Sequence, residues 1–185
     1  MNRKTYAEKD GISLLYAEDG DRQFIYGMAF EEDEIWKTMI KSREDFPASE
    51  LIDEEGHFFG SDPGTSKYLL IEYGDEIVGT ISHTWNDGKI PNMELDTWLR
   101  STRYTGKGIG SSAMKLLIDS LIKDYGVKTF IIRPWSKNPR AIKAYGKCGF
   151  VAVDSFDPED YYGKYLEEAG EGDFGEETVN MILTP

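Results

Sequence analysis

The stretch Arg103-Tyr104-Thr105-Gly106-Lys107-Gly108-Ile109-Gly110-Ser111 decides how the rest of the chain reads. Its alternating glycines end where an apolar period begins. Met114, Leu117, Ile118, Leu121 and Ile122 fall on one face of a helix over residues 111–125, and Gly126 stops it. A glycine-rich approach to a helix suits an anion. The first turn carries unpaired N–H groups at the positive end of the dipole, and glycine lets the backbone close on a phosphate without Cβ clashes. Two nucleotide loops fail on spacing. A P-loop needs Gly-Lys followed by Ser or Thr, but Gly106-Lys107 is followed by Gly108. A dinucleotide fingerprint needs G-x-G-x-x-G and an acid closing the next strand; this loop reads G-x-G-x-G and that strand ends in Arg133.

Working upstream, Met93 to Leu99 reads as a strand, as do Tyr68 to Tyr73 and Glu76 to Trp85, joined by a tight turn at Gly74-Asp75. Residues 43–66 are polar, with Pro47, Gly56, Gly60, Pro63 and Gly64, and read as loop. Short helices are expected over 21–28 and 31–39, after a first strand at 12–16. Downstream, Thr129 to Arg133 is a buried strand. Asn138-Pro139 then opens a helix with a capping residue and Pro at its first position, reaching nearly to Gly149. Residues 150–153 and 179–183 read as closing strands. The fold class is α/β (α+β): a mixed, mostly antiparallel sheet that ends in a β-α-β-α-β unit, flanked by helices.

The 185 residues, 39% hydrophobic and 30% charged, suit one domain over 1–185. One cysteine, Cys148, and two histidines, His57 and His83, argue against a disulfide framework or a zinc centre, so no metal is expected. No run of apolar residues is long enough for a membrane span, and no apolar stretch follows Met1-Asn2-Arg3-Lys4-Thr5 as in a secretory signal, so a cytoplasmic protein is expected. The net charge of −13 disfavours a nucleic-acid partner. That charge is uneven. Residues 31–55 sum to −7 and 154–177 to −9, while 100–150 sum to +9. Such a layout fits an anionic ligand at the centre and a cationic one at the flanks; acidic surface kept for solubility is the plain alternative.

Asn138-Pro139-Arg140-Ala141-Ile142-Lys143-Ala144-Tyr145 runs into Lys147-Cys148-Gly149-Phe150. Together with Arg103 to Gly108, this segment resembles the GNAT acetyltransferase superfamily over about residues 68–153. Glu94-Leu95-Asp96 and Arg133 to Asn138 add a fainter likeness to its aminoglycoside 6′-N-acetyltransferase branch. The resemblance implies an acetyl-CoA site over residues 100–150. Arg103, Thr105, Gly106, Lys107, Gly108, Ile109, Gly110 and Ser111 would surround the pyrophosphate. The backbone of Trp98 and Leu99 would lie beside the pantetheine arm, with one N–H polarising the thioester carbonyl. Asn138 would hydrogen-bond that arm and Tyr145 would sit near the sulfur. Gly146 departs from the family, since a glycine inside a helix costs about 1 kcal/mol relative to Ala.

Acetyl transfer to an amine needs the amine neutral, and a primary amine has a pKa of about 10, so a proton acceptor is required. Strand alternation puts Glu94, Asp96 and Trp98 on one face and Met93, Leu95 and Leu99 on the other. Asp96 is the first candidate base, Glu94 the second, and water a third; a solvated sheet face explains both acids equally simply. Tyr145 is the candidate acid for the departing thiolate, with core packing as its alternative. The expected activity is acetyl-CoA-dependent N-acetylation of a small cationic amine, aminoglycoside-like or polyamine-like, by direct transfer in a monomer or homodimer. Segments 31–66 and 154–177 would flank the acceptor. The alternatives are a non-catalytic acyl-CoA-binding module and a protein N-terminal acetyltransferase.

Overall fold

The structure, a computed structural model, describes residues 3–38, 66–163 and 177–185. The chain opens with a hairpin, β1 (Thr5–Lys9) and β2 (Ile12–Tyr16). Asp10 and Gly11 both adopt positive φ at its tip, the backbone that a two-residue turn between twisted strands demands. Helix α1 (Arg22–Phe30) follows, then β3 (Lys67–Tyr73), β4 (Glu76–Asn86) and β5 (Asn92–Leu99). Helix α2 (Ile109–Tyr125) leads to β6 (Phe130–Ile132), α3 (Pro139–Gly146), β7 (Val151–Ala152), α4 (Pro158–Tyr162) and β8 (Met181–Leu183). The strands form one sheet in the order β1-β2-β3-β4-β5-β6-β8-β7. Every pairing is antiparallel except β5 with β6, which are parallel because α2 crosses between them.

Each face of the sheet is covered by its own helix. Leu14, Leu69, Ile71, Ile81, Met93 and Leu95 pack on Met114, Leu117 and Leu121 of α2. Leu15 and Leu70, one residue out of phase, pack on Ile25, Met28 and Ala29 of α1. Met114, Leu117 and Leu121 are fully buried; each such side chain contributes about 1.5–3 kcal/mol.

The structure corrects several expectations. Strand β1 precedes the expected first strand; the sequence signal for it was Asp10-Gly11. The expected helix over 31–39 is instead a short 3-10 turn, Glu34–Thr38, with Met39 outside the described residues. The Asp33 carboxylate takes the Glu34 N–H at 2.6 Å, a local bond that competes with helical geometry in a run of four acids. The expected loop over 43–66 falls outside the described residues apart from Ser66. Helix α2 begins at Ile109, two residues before the expected start, with Gly108 as its N-cap. Gly146 is the last residue of α3, so the interior-glycine penalty does not apply.

Candidate active site

The parallel pairing of β5 and β6 is short. It comprises Met93 with Phe130 and Glu94 with Ile131. Beyond it β5 runs on to Leu99 while β6 stops at Ile132, and the two strands part. The Met93 N–H donates to Thr129 on the β6 side, whereas the Arg100 N–H donates to Val78 on the β4 side. Strand alternation therefore turns the backbone groups of Thr97 and Leu99 toward the gap and those of Trp98 toward β4. Of the two residues expected beside the pantetheine arm, Leu99 is the one whose N–H faces the open side.

Two helix N-termini close on the gap. Gly106 and Gly108 hold φ of +74° and +84°, and Gly108 caps α2. The first intrahelical bond is Ser112 N–H to the Gly108 carbonyl, so the N–H groups of Ile109, Gly110 and Ser111 precede the helical ladder. Asn138 caps α3 by accepting the Ala141 N–H at 3.1 Å, with Pro139 at the first helical position. Between them lies a cavity of about 610 Å³, lined by β5, the glycine loop, the two helix ends and Ile35, Lys37 and Thr38 of the 3-10 turn. Lys37, Lys137, Arg140, Lys143 and Lys147 also line it, and no carboxylate does so among the described residues. Arg140 reaches across the mouth to the Thr105 hydroxyl at 2.9 Å. Shape and charge fit a long anionic ligand with a phosphate end at the loop.

Of the residues expected around the cofactor, Trp98, Leu99, Thr105, Gly106, Gly108, Ile109, Gly110, Ser111, Asn138 and Tyr145 line this cavity. Arg103 and Lys107 do not. The Arg103 guanidinium donates to the Tyr104 hydroxyl and lies 3.4 Å from Glu76, which itself accepts the Tyr104 hydroxyl at 2.6 Å. The Asn138 carboxamide is occupied at both ends, because its Nδ2 donates to the Thr38 carbonyl at 2.7 Å. Sequence reasoning missed Ile35, Lys37 and Thr38, since nothing local links them to the loop. It also missed the bases on α3, which were visible in the net charge of 100–150.

At the inner end of the cavity the Tyr145 hydroxyl donates to the Thr97 carbonyl at 3.4 Å, a long bond. Its ring packs edge-on against Phe150, and the Tyr145 carbonyl accepts the N–H groups of Cys148 and Phe150. Burial pushes its phenol well above the ordinary value, and the nearby Asp96 charge adds to this, so it stays protonated at neutral pH. Asp96 and Glu94 lie outside the cavity lining, on the α1 face of β5. Glu94 is committed to an ion pair with Arg133 Nε at 2.8 Å, and that guanidinium stacks on Tyr162. Asp96 is exposed to solvent, yet desolvation by the surrounding protein raises its pKa. Glu94 pushes the same way, while the Thr97 N–H and Arg133 pull back. The half-buried Cys148 thiol is also raised by burial, which suits a packing role.

The Acetyltransferase (GNAT) family matches residues 29–150, more than half of the chain, and the protein belongs to that family of N-acetyltransferases. The chain is 34% identical over 64 residues to the spermine/spermidine N(1)-acetyltransferase of Bacillus subtilis (strain 168), covering 35% of this chain and 42% of that protein. It is 30% identical over 86 residues to a kanamycin resistance protein of Rhizobium radiobacter, covering 46% of this chain and 72% of that one. It thus spans less than half the length of the first of these relatives. The structure of AAC(6′)-Ib in complex with paromomycin and acetyl-CoA superposes with a TM-score of 0.65 at 17% identity, covering 95% of this chain and 94% of that one. At that identity the likeness establishes the fold.

Proposed function

We propose that the protein transfers acetyl from acetyl-CoA to a primary amine of a small cationic acceptor, aminoglycoside-like or polyamine-like, by direct transfer in a ternary complex. The observation that carries this reading is the gap between β5 and β6, with a glycine-capped helix end at its mouth and the Tyr145 hydroxyl at its inner end. In this reading residues 100–150 hold the cofactor, and segments 31–66 and 154–177 flank the acceptor. The AAC(6′)-Ib complex, which contains acetyl-CoA, and the two relatives named for kanamycin and spermine/spermidine support the substrate classes.

Acetyl-CoA supplies the activated thioester. The N–H groups at the start of α2 bind pyrophosphate oxygens, and the Leu99 N–H donates to the thioester oxygen as negative charge develops there. Asp96, ionised and near the inner end, takes the proton of the acceptor ammonium, directly or through one water. Its raised pKa makes it a better proton acceptor than an ordinary carboxylate once ionised. Tyr145, still protonated, gives its proton to the departing thiolate. Glu94 orients Arg133 and leaves the base role to Asp96.

Acceptor class is tested by comparing kcat/KM for kanamycin, spermidine and a neutral-bodied monoamine at low and high salt. The cationic acceptors should be favoured at least about tenfold at low salt, with the preference narrowing as salt screens it. Equal use of all three would remove the cationic assignment.

A further inference from the structure

By sequence, Glu31-Glu32-Asp33-Glu34 belongs to the acceptor-side flank, yet its middle residues bind residues 100–102, which join β5 to the glycine loop. Glu32 takes the Arg100 guanidinium on both oxygens, one at 2.7 Å, and Arg100 also donates to the Ile77 carbonyl. Asp33 Oδ2 accepts the Ser101 hydroxyl at 2.6 Å and the Thr102 N–H at 3.2 Å, while Oδ1 accepts the Glu34 N–H. The Ser101 hydroxyl holds this carboxyl below the usual range, with the Glu34 and Thr102 N–H groups helping. At the other end of the turn, the Thr38 carbonyl accepts Asn138 Nδ2. The two anchor points lie on separate segments of the chain. Residues 100–102 join β5 to the glycine loop, and Asn138 caps α3. Between them Ile35, Lys37 and Thr38 face the cavity.

We propose that residues 33–38 form a strap pinned across the cofactor cleft, and that Asp33 is a positioning residue that sets how tightly the cleft holds coenzyme A. This rests on reading the cleft as the acetyl-CoA site. A wall segment fixed at both ends has lost its freedom before the ligand arrives, so binding need not order it. With the Asp33 anchor removed, the Glu32–Arg100 pair, the buried Ile35 and the Thr38 end still hold the turn, but its tie to Ser101 and Thr102 is lost and the ligand must order that end. Asp33 touches neither the thioester region nor Tyr145. Its loss therefore weakens coenzyme A binding and raises the KM for acetyl-CoA, while kcat at saturation changes little.

The test is calorimetric titration of coenzyme A into the wild-type chain and the Asp33→Ala, Ser101→Ala and double variants, with thermal unfolding of each. The dissociation constant should rise about three- to tenfold in either single variant, the size of one net hydrogen bond. The double variant should be weaker-binding by less than the product of the two singles, because both remove the Asp33–Ser101 contact, although Asp33→Ala also loses the Thr102 and Glu34 N–H bonds and Ser101→Ala the Arg103 N–H bond. Ser101→Thr, which keeps the hydroxyl, should restore wild-type binding. Asp19→Asn, which breaks an exposed ion pair with Arg22 before the same helix, should leave it unchanged. If the wild-type chain binds coenzyme A and Asp33→Ala and Ser101→Ala bind it equally well, the strap is overturned while the cofactor reading stands. If the wild-type chain does not bind coenzyme A, the cofactor reading falls and takes the strap with it.

Discussion

The two sides of the cleft are assembled in different ways. On the cofactor side, the loop from Gly106 to Gly108, the start of α2 and the start of α3 are made by residues close in sequence, and backbone N–H groups and helix ends do the work. In the two acidic flanks, most anchors are long-range. Asp33 meets Ser101 across 68 positions, Thr38 meets Asn138 across 100, and Asp160 meets Lys89 across 71. Helix α4 docks on the β4–β5 connection the same way: Asn92 Nδ2 donates to the Tyr161 carbonyl at 2.8 Å, and Ile90 N–H to that of Asp160. A Cβ on Gly88 would lie 2.5 Å from the Tyr161 backbone, so glycine is required for that approach. The lesson concerns charge. The described acids of the two flanks largely serve the fold: Glu32 pairs with Arg100, Glu34 with Lys37, and Asp160 with Lys89, while Asp157 caps α4. An acidic field for the acceptor would draw on the remaining acids of the flanks, among them Glu31, Asp154 and Glu159, which are exposed, and Glu167, Glu168 and Glu171, which lie outside the described residues.

Substitutions on the two sides should therefore differ in kind and size. The largest effect is expected at Tyr145→Phe, which keeps the ring packing and removes the proton; kcat should fall about 10²-fold with coenzyme A affinity retained. Stopped-flow turnover beside calorimetry checks this, and near-normal kcat would return Tyr145 to packing. Next is Gly108→Val. A β-branched residue at φ +84° is strained, and its side chain would enter the space proposed for the phosphate. Coenzyme A affinity should drop about tenfold or more, with a folded far-UV spectrum. Third, Asp96→Asn should lower kcat/KM about tenfold without lowering Tm. The sign follows from its raised pKa: the folded state favours the protonated form, so stability is greatest at low pH and declines as pH rises through the raised value. A neutral amide avoids that cost. For the same reason, wild-type activity should fall on acidification at a higher pH than an ordinary carboxylate would give. The smallest effect is Glu32→Gln. Its partly exposed pair with Arg100 should contribute no more than about 1 kcal/mol to unfolding, and acceptor KM should barely move.

This contrast also explains what could be read from sequence. Period and punctuation are local, so α2, its stop at Gly126, the Gly74-Asp75 turn and the Asn138-Pro139 helix start were all legible. So were the alternating faces of β5, with Met93 and Leu95 in the α2 core and Trp98 against α1. The hairpin at Asp10-Gly11 was equally local and was overlooked. The strap was not legible, because Asp33 looks like any surface acid until the fold brings Ser101 to it. Nor was the commitment of Glu94, since Arg133 lies 39 positions away and becomes its neighbour only when β6 pairs with β5. Side-chain roles set by such distant pairings need the tertiary structure.

The most direct test of the central claim follows coenzyme A thiol release and acceptor mass together, with acetyl-CoA and either kanamycin or spermidine. The account predicts amine-dependent thiol release matched mole for mole by one added acetyl group on an amine nitrogen, and a fall of about 10²-fold in the rate of both signals in Tyr145→Phe. Coenzyme A binding without acetylation of either amine, or acetylation untouched by Tyr145→Phe, would contradict it.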